Sequence, residues 1–292
     1  MESRADGWTA VCVEVDADMA DVAASFLVEE GAPAIVEGDG HGAAGRVRLE
    51  AAIAGDAARV VDGLARYLDR LAALDPAARP ATIETSAVSA LDWTAVARSH
   101  HRPVSVGRRL LVAPPWDVPA APGREVLVIE PGMAFGTGQH ATTRGCLEAI
   151  ENAVTAGGIG SALDVGTGSG ILALALARLG VPRVVAIDSD PQVLPLAREN
   201  LARNGAPGVA LVAGTAADLD ARFDLVVANL LADVLVREAE ALAARVEPGG
   251  CLVVSGLLAS QAPGVAAAYR GWRIAAEHRD EDWCTLVLRR AS

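Results

Sequence analysis

From about residue 142 onward, short apolar strands alternate with helices, and this alternation constrains the fold more than any other feature of the sequence. The first five predicted strands are "SALDV", "RVVAID", "GVALVAG", "FDLVVAN" and "GGCLVVSGL". A helix between two strands returns the chain so that the strands run parallel. Two further strands, "WRIAAEHRD" and "CTLVLRR", are separated by a short turn and predict an antiparallel edge. The sequence therefore predicts an α/β fold with a doubly wound, mostly parallel seven-stranded sheet.

The N-terminal part of the chain shows a different order of elements. Val11, Val13 and Val15 alternate with other residues, as in a strand with one buried face. The full order, β-α-β-β-α-β, predicts a small α+β domain of the ferredoxin-like type. Because it contains no catalytic constellation, we expect this domain to serve recognition or docking, the alternative being a purely structural appendage. We predict a recognition domain (1–80), a connector (81–125) and the doubly wound domain (126–292).

The composition argues against several classes of function. The net charge is −12 and the pI is about 4.9, whereas nucleic-acid-binding domains usually carry a basic face. We therefore expect no direct nucleic-acid partner and favour a basic protein partner. The N-terminus is polar and no apolar run approaches the roughly 20 residues of a membrane span, so we expect a cytoplasmic protein without a membrane segment.

The sequence gives no indication of disulfide bonds, a metal site or an oligomer. The four cysteines form no CxxC pair, which favours reduced thiols. No group of His, Cys or carboxylate residues has the spacing of a metal site. No heptad pattern or exposed apolar stripe indicates an oligomer, and we expect a monomer.

A glycine-rich loop, "LDVGTGSGILAL" (163–174), follows a predicted buried strand and opens a helix. Glycines allow a ligand to approach the backbone, and N–H groups at a helix N-terminus are free to bind it. The dinucleotide fingerprint is G-x-G-x-x-G. Here Gly166, Gly168 and Gly170 give G-x-G-x-G, which disfavours a pyrophosphate ligand and hence an NAD-dependent oxidoreductase.

An acidic residue ends the next predicted strand. Asp188 comes 22 residues after Gly166, the distance at which doubly wound folds place a carboxylate that binds a ribose diol. The alternative role for Asp188 is a helix N-cap. Asp190 suits that cap better because it directly precedes Pro191. We therefore predict a ligand with an unmodified ribose.

These elements together resemble the class I S-adenosylmethionine-dependent methyltransferases, in which a strand, a "DVGTGSG"-like loop and an acid-ended strand precede "FDLVVANLL". A longer set of motifs resembles one family, the ribosomal protein L11 methyltransferases. These motifs are "DWTAVARSHHRPVSVG", "EPGMAFGTGQHATTR", "IDSDPQVLPLARENLARNG", "VVANLLADVL", "SGLLASQA" and "DWCTLVL". The resemblance covers about residues 90–290, and the N-terminal domain matches mainly in position and predicted fold.

The resemblance implies a cofactor, S-adenosyl-L-methionine, with S-adenosyl-L-homocysteine as the product. The positions at which that family binds the cofactor are Thr143, Gly166, Asp188 and Asn229. Thr143 would offer a hydroxyl beside the glycine loop, and Gly166 would give the methionine portion access to the backbone. Asn229 would end the fourth strand at the ligand-binding edge. The structural alternatives are helix capping by Thr143, shared with Thr142, and a turn role for Asn229.

The stretch "EPGMAFGTGQHATTR" (130–144) adds further candidates. Phe135 would line the cofactor site or a lysine channel, the alternative being core packing. Gly136 and Gly138 would make the loop a lid. His140 could belong to the pocket, but we expect a solvated loop histidine.

The implied reaction is protein N-methylation. The resemblance implies transfer to lysine ε-amines and the N-terminal α-amine of ribosomal protein L11, and it identifies no catalytic base. Alternatives are a lysine methyltransferase acting on a different protein, a glutamine or other N-methyltransferase, and a cofactor-binding scaffold without activity. "ANLLAD" lacks the Asn-Pro-Pro-Tyr type of motif that glutamine and adenine methyltransferases carry, which disfavours that class. Two departures from the family pattern, Ala97 and His101, fall in the connector and bear on the relative placement of the two domains.

Overall fold

The computed structural model of the chain describes residues 8–32, 35–39, 45–72, 79–88, 102–130, 138 and 140–290. The chain divides into two units, Met1–Arg102 and Pro103–Ser292. The predicted functional division at residues 80 and 125 stays a prediction. The structure does not describe residues 89–101, which contain most of the helix predicted after residue 91. Ala97 and His101, the two departures from the family pattern, also lie outside the described residues.

The N-terminal unit is an antiparallel sheet with two helices, as predicted. Its elements are β1 (Trp8–Asp16), α1 (Ala17–Glu29), β2 (Ile35–Asp39), β3 (Arg46–Ala54), α2 (Ala57–Ala72) and β4 (Thr82–Val88). The strand order is β2-β3-β1-β4, and every pairing is antiparallel. Val11, Val13 and Val15 are fully buried on one face of β1, where they pack with residues of both helices. The period-two pattern thus buries one face of the sheet and leaves the other open.

The second unit contains the predicted seven-stranded sheet. Its strands are β8 (Ser161–Val165), β9 (Arg183–Asp188), β10 (Ala210–Ala213), β11 (Phe223–Asn229), β12 (Val246–Leu258), β13 (Trp272–Asp280) and β14 (Trp283–Arg290). The order is β10-β9-β8-β11-β12-β14-β13. The first five strands in this order are parallel, and β14 pairs antiparallel with both of its neighbours. The predicted fold class is therefore confirmed.

Helices cover this sheet and separate its strands along the chain. They are α3 (Ala141–Ala156), α4 (Ile171–Arg178), α5 (Leu194–Arg203), α6 (Ala232–Arg237), α7 (Ala239–Ala244) and α8 (Ala262–Ala268). Sequence periodicity predicts one helix over 230–246, whereas the structure has α6 and α7 there. The break falls at Glu238, whose φ of −91° and ψ of 5° leave the helical region. Neither Gly nor Pro marks this position, so nothing in the local sequence signals the break.

The predicted connector contributes a small sheet to the second unit. Its strands are β5 (Val104–Val106), β6 (Leu110–Ala113) and β7 (Glu125–Val128). The buried carboxylate of Glu151 on α3 accepts hydrogen bonds from the backbone N–H groups of Arg108 and Arg109, at 3.0 Å each. Gly107 lies directly over this carboxylate, and a Cβ there would come within 2.5 Å of Glu151 Oε2. Glu151 therefore fixes the β5–β6 turn on helix α3.

Two further findings concern the described part of the chain. None of its helices has both the length and the apolar content needed to cross a membrane. All four cysteines are free thiols, and Cys146, Cys251 and Cys284 are buried.

Candidate functional site

The glycine loop forms a tight turn between β8 and α4, at the carboxyl edge of the sheet. Gly166, Gly168 and Gly170 all have positive φ, at 72°, 51° and 83°, a region that favours glycine. A Cβ on Gly166 would come within 2.4 Å of Leu230 Cδ2, and one on Gly170 within 3.2 Å of the Ala197 Cβ. Both the backbone conformation and the close packing therefore require glycine in this turn.

The sequence predicts that the backbone N–H groups of this turn are free, whereas in the structure most of them are hydrogen-bonded within the protein. The N–H groups of Gly166 and Thr167 donate to the Ile187 carbonyl at 2.9 and 3.0 Å. The Gly168 N–H donates to Asp188 Oδ2 at 2.9 Å, and the Gly170 N–H donates to the Thr167 carbonyl. A phosphate cradle needs such groups free, so these four N–H groups are not available to a phosphate.

Asp188 lies next to this turn, as the sequence predicts, because β9 is the neighbour of β8. Besides the bond from Gly168, its second oxygen accepts the Asp190 N–H at 3.0 Å. Asp190 in turn accepts the Gln192 N–H at 2.8 Å and heads the turn that leads into α5. The carboxylate of Asp188 is therefore held in a fixed orientation at the strand end, where a diol can be bound.

Thr143 and Asn229 meet on the opposite side of β8. Asn229 ends β11, and its amide nitrogen Nδ2 lies 3.3 Å from Thr142 Oγ1 and 3.5 Å from Thr143 Oγ1. Thr143 is fully buried in the first turn of α3. Because β9 and β11 flank β8, the chain reverses its direction of strand addition here, and such switch points are ligand-binding crevices.

Leu230 connects the two halves of this site. Its side chain packs against Gly166, and its backbone packs against Gly256, where a Cβ would come within 2.3 Å of the Leu230 carbonyl oxygen. The Leu230 N–H also donates to the Ser255 carbonyl at 3.0 Å. Thr143 and Asn229 are thus in contact, and Gly166 and Asp188 lie just after β8 and at the end of the adjacent β9, all along one edge of the sheet.

His140 is the N-cap of helix α3, whereas we predicted a solvated loop histidine. Its Nδ1 accepts the Thr142 N–H at 3.4 Å and lies 2.7 Å from Thr142 Oγ1. The ring also packs edge-on against Trp283, with 4.7 Å between centroids. His140, and neither Thr142 nor Thr143, therefore takes the capping position. Phe135 and Gly136 lie outside the described residues, so their predicted roles stay predictions.

Gly138, the second glycine of the predicted lid, has a φ of 81°. A Cβ at this position would come within 2.6 Å of Val112 Cγ1 on β6. The small sheet therefore contacts the end of the predicted lid, and its lid role stays a prediction.

Ser255 supports the first turn of α3 from the next strand. Its hydroxyl lies 3.1 Å from the Thr142 carbonyl and 2.7 Å from Thr285 Oγ1. Thr285 in turn packs on Gly145, where a Cβ would come within 2.3 Å of its hydroxyl. The motifs "SGLL" and "DWCTLVL" therefore hold the helix end that carries Thr143.

Sequence reasoning missed Asp164, the next-to-last residue of β8, which lies two residues before Gly166. It is fully buried, and its Oδ2 accepts from Thr167 Oγ1 at 2.7 Å and from the Ala173 N–H at 3.1 Å. Its other oxygen, Oδ1, is buried and has no hydrogen-bond partner among the described residues. Burial raises the pKa of this carboxyl to about 7, although its two hydrogen bonds oppose the shift.

Asp164 also disfavours an anionic ligand at the N-terminus of α4. The cap residue Gly170 has no side chain, and the Asp164 carboxylate accepts a first-turn N–H in its place. A phosphate at this helix end would meet a buried carboxylate, whereas a hydrogen-bond donor or a cation would be favoured. An acid two residues before the first glycine, in an otherwise apolar strand, is the signal in the sequence that would have revealed it.

Within the described ranges, no three His, Cys, Asp or Glu side chains are grouped so that they could hold a metal ion.

Comparison with known proteins identifies the family of the chain. The model of one family, described as "Ribosomal protein L11 methyltransferase", matches residues 7–291. The ribosomal protein L11 methyltransferase of Geobacter sulfurreducens is 40% identical over 297 residues, which cover 97% of this chain and 98% of the relative. That of Pelotomaculum thermopropionicum is 44% identical over 212 residues, which cover 71% of this chain and 68% of the relative.

A solved structure is similar as well. The crystal structure of the ribosomal protein L11 methylase from Lactobacillus delbrueckii subsp. bulgaricus superposes with a TM-score of 0.62 at 33% sequence identity, and it covers 66% of this chain and all of that one. The family match spans both units of the structure, including the N-terminal unit that the motifs alone did not cover. The chain therefore belongs to the ribosomal protein L11 methyltransferase family.

Proposed function

We propose that this chain transfers methyl groups from S-adenosyl-L-methionine to amines of ribosomal protein L11, at lysine ε-amines and at the N-terminal α-amine. The observation that carries the proposal is the joint placement of Gly166, Asp188, Thr143 and Asn229 along one sheet edge. Family membership supports the protein substrate, because the relatives are named for methylation of L11. We further propose that the enzyme acts in the cytoplasm, where a ribosomal protein is available, and as a monomer.

The residues of the crevice fit the proposed cofactor. Asp188 would accept hydrogen bonds from the ribose hydroxyls, and the glycine turn would let the methionine portion lie against the backbone at Gly166. The buried, unpartnered Oδ1 of Asp164 fits a donor-bearing, positively charged group near this turn. S-adenosylmethionine supplies a methyl group on a sulfonium, which a neutral amine can take in a single displacement.

Asn229 would position the substrate amine. Its amide N–H groups are directed to the hydroxyls of Thr142 and Thr143, so its carbonyl oxygen is the atom that would accept a hydrogen bond from an amine. His140 fixes Thr142 through the helix cap, which keeps the amide in one orientation. Alignment of this kind is the main contribution an enzyme makes when the leaving group is already good.

The substrate amine must lose a proton before it reacts. A lysine amine has a pKa of about 10.4 in water, and an apolar environment lowers that pKa because it disfavours the charged form. We assign no general base. His140 does not fill that role, because its Nδ1 is engaged with Thr142 as the helix cap.

The N-terminal unit would hold the substrate through the open face of its sheet. Cys12 and Glu14 lie on this face of β1, and the register places Cys12 beside Glu50 and Glu84 on the adjacent strands. Three carboxylates around Cys12, those of Glu14, Glu50 and Glu84, lie near the guanidinium of Arg48, and a second guanidinium, that of Arg46, donates to the Glu14 carbonyl. The face therefore carries a surplus of negative charge, which favours a basic, lysine-bearing partner.

Deletion of residues 1–80 tests this role of the N-terminal unit. We expect the truncated protein to lose methylation of L11 and to retain cofactor affinity, because the cofactor residues all lie in the second unit. Isothermal titration with S-adenosylhomocysteine checks that the remaining unit binds. Normal methylation of L11 by the truncated protein would show that the first unit is a structural appendage.

The proposed function itself is tested by incubating the full chain with labelled S-adenosylmethionine and unmethylated L11. Intact mass and peptide mapping should locate methyl groups on lysines and on the N-terminal amine, and Asn229→Ala should reduce transfer strongly. Cofactor binding without transfer to L11 would favour a lysine methyltransferase for another protein. Label on a glutamine amide would favour the glutamine N-methyltransferase alternative. Size-exclusion chromatography with light scattering tests the monomer.

A further inference from the structure

We propose that Asn200 on helix α5 is a positioning residue for the cofactor, because its buried amide fixes the glycine turn relative to the end of β7. This inference rests on the proposed use of S-adenosylmethionine. Asn200 lies in the "ARENLARNG" stretch (197–205), to which neither the sequence analysis nor the proposed mechanism assigns a role.

The Asn200 side chain joins two segments that are far apart in the chain. It is fully buried, its Nδ2 donates to the Ser169 carbonyl at 2.9 Å, and its Oδ1 accepts the Glu130 N–H at 3.2 Å. Ser169 belongs to the glycine turn, and Glu130 follows β7. A buried amide that uses both its donor and its acceptor is held in one orientation and transmits that orientation to both segments.

Helix α5 also packs against the glycine turn at Gly170, the residue after Ser169. A Cβ on Gly170 would come within 3.3 Å of the Ala197 Cα and 3.4 Å of its carbonyl oxygen. Ala197 and Asn200 are one helical turn apart, so both face the glycine turn. The conformation of Ser169 and Gly170 is therefore set by α5, both by packing and by a hydrogen bond.

At Gly168 and Ser169 the glycine turn is held by the side chains of Asp188 and Asn200. The two contacts differ in whether the side chain is also proposed to bind the cofactor. Gly168 is held by Asp188 Oδ2, the carboxylate proposed to bind the ribose. When a ribose diol uses that carboxylate, its hydroxyls compete with the Gly168 N–H for the same oxygens. The bond from Asn200 to Ser169 involves no cofactor-binding group and persists. Asn200 therefore keeps the turn in its binding conformation while the ligand engages Asp188.

Asn204, the C-cap residue directly after α5, provides a matched control. Its amide pairs with both backbone groups of Val128 on β7, at 2.7 Å each, its Nδ2 also donates to the backbone carbonyl of Asn200, and it is buried. Asn204 therefore anchors the same strand end, but no hydrogen bond joins it to the glycine turn in the described residues. A purely structural role for these asparagines predicts the same effect for both, whereas the proposal predicts a difference in cofactor affinity.

The test measures S-adenosylmethionine binding and methyl transfer by the full chain and its variants. For Asn200→Ala we expect a dissociation constant about tenfold higher than in the wild type (~1.4 kcal/mol), because one buried hydrogen bond and its carbonyl partner are lost. The turnover number at saturating cofactor should stay within about twofold, because Asn229 and Thr143 are untouched. Asn204→Ala should lower the melting temperature similarly and leave the dissociation constant unchanged.

Asn200→Leu is the second variant, and it is decisive if Asn200→Ala does not fold. It keeps about the same side-chain volume, brings no buried charge and loses both hydrogen bonds, so cofactor affinity should again fall about tenfold. Wild-type affinity in a folded Asn200 variant, or an equal loss in Asn204→Ala, would overturn the inference. Failure of the wild-type chain to bind S-adenosylmethionine at all would instead overturn the proposed function.

Discussion

The buried carboxyl of Asp164 makes the stability of the second unit depend on pH near neutrality. Its pKa is raised from 3.8 to about 7, mainly by burial. In the unfolded chain the group ionises near pH 4, whereas in the folded protein it stays protonated until about pH 7. Between these values the folded state binds more protons, so stability falls as pH rises. Each pKa unit corresponds to 1.36 kcal/mol, which gives a total loss of roughly 4 kcal/mol.

Asp164→Asn removes this dependence and keeps the local hydrogen bonds. The amide oxygen can accept from Thr167 and Ala173, as Oδ2 does now, and the amide nitrogen replaces the unpartnered Oδ1. From pH 5.5 to 8.5 the wild type should lose about 2 kcal/mol relative to Asp164→Asn, since about half of the titration window lies above pH 5.5. Urea unfolding of both proteins at the two pH values measures the difference.

The comparison needs a control for the change in net charge. Asp190→Asn removes one negative charge from a neighbouring exposed turn and should not reproduce the effect. If the stability difference between the wild type and Asp164→Asn is the same at pH 5.5 and 8.5, Asp164 is ionised throughout, and the argument from burial is wrong.

Three further substitutions test the site and its support. Gly166→Ala forces a side chain into a positive-φ turn and against Leu230. It should cost about 1–2 kcal/mol in backbone strain alone and weaken cofactor binding by calorimetry, and unchanged binding would contradict the close packing. Asp188→Asn should raise the cofactor dissociation constant roughly 30-fold, because a charged acceptor for two hydroxyls is lost; a change below about threefold would argue against ribose binding. Glu151→Ala should lower the free energy of unfolding by about 2 kcal/mol, or roughly 6 °C in melting temperature. Asn152→Ala, at an exposed position of the same helix, should have little effect, and equal losses would refute the anchoring role of Glu151.

The architecture of both sheets was predictable because its signals are local. Period-two alternation predicts that β1 buries one face, and the apolar run predicts that β8 buries both. The handedness of the crossover between parallel strands then restricts the possible topologies. The predicted cofactor residues lie at strand ends or at a helix start, where the topology of a doubly wound sheet brings them together. Spacing from Gly166 predicts Asp188 and the family resemblance implies Asn229, and their cofactor roles stay proposals.

Long-range contacts decided the rest. Glu151 and Asn204, 43 and 76 residues away from their partners, satisfy backbone groups of the sheet β5-β6-β7. The local sequence predicts only a connector there. The glycine turn looks from sequence like a row of free N–H groups, yet Ile187 and Asp188 on β9 already accept them.

The sequence by itself thus determined which elements form and which residues reach the sheet edge, because periodicity and spacing are properties of short segments. Only the tertiary structure decided which polar groups are still available there. The orphaned oxygen of Asp164, the cap by His140 and the bridge by Asn200 depend on partners from other elements, and burial sets the strength of each.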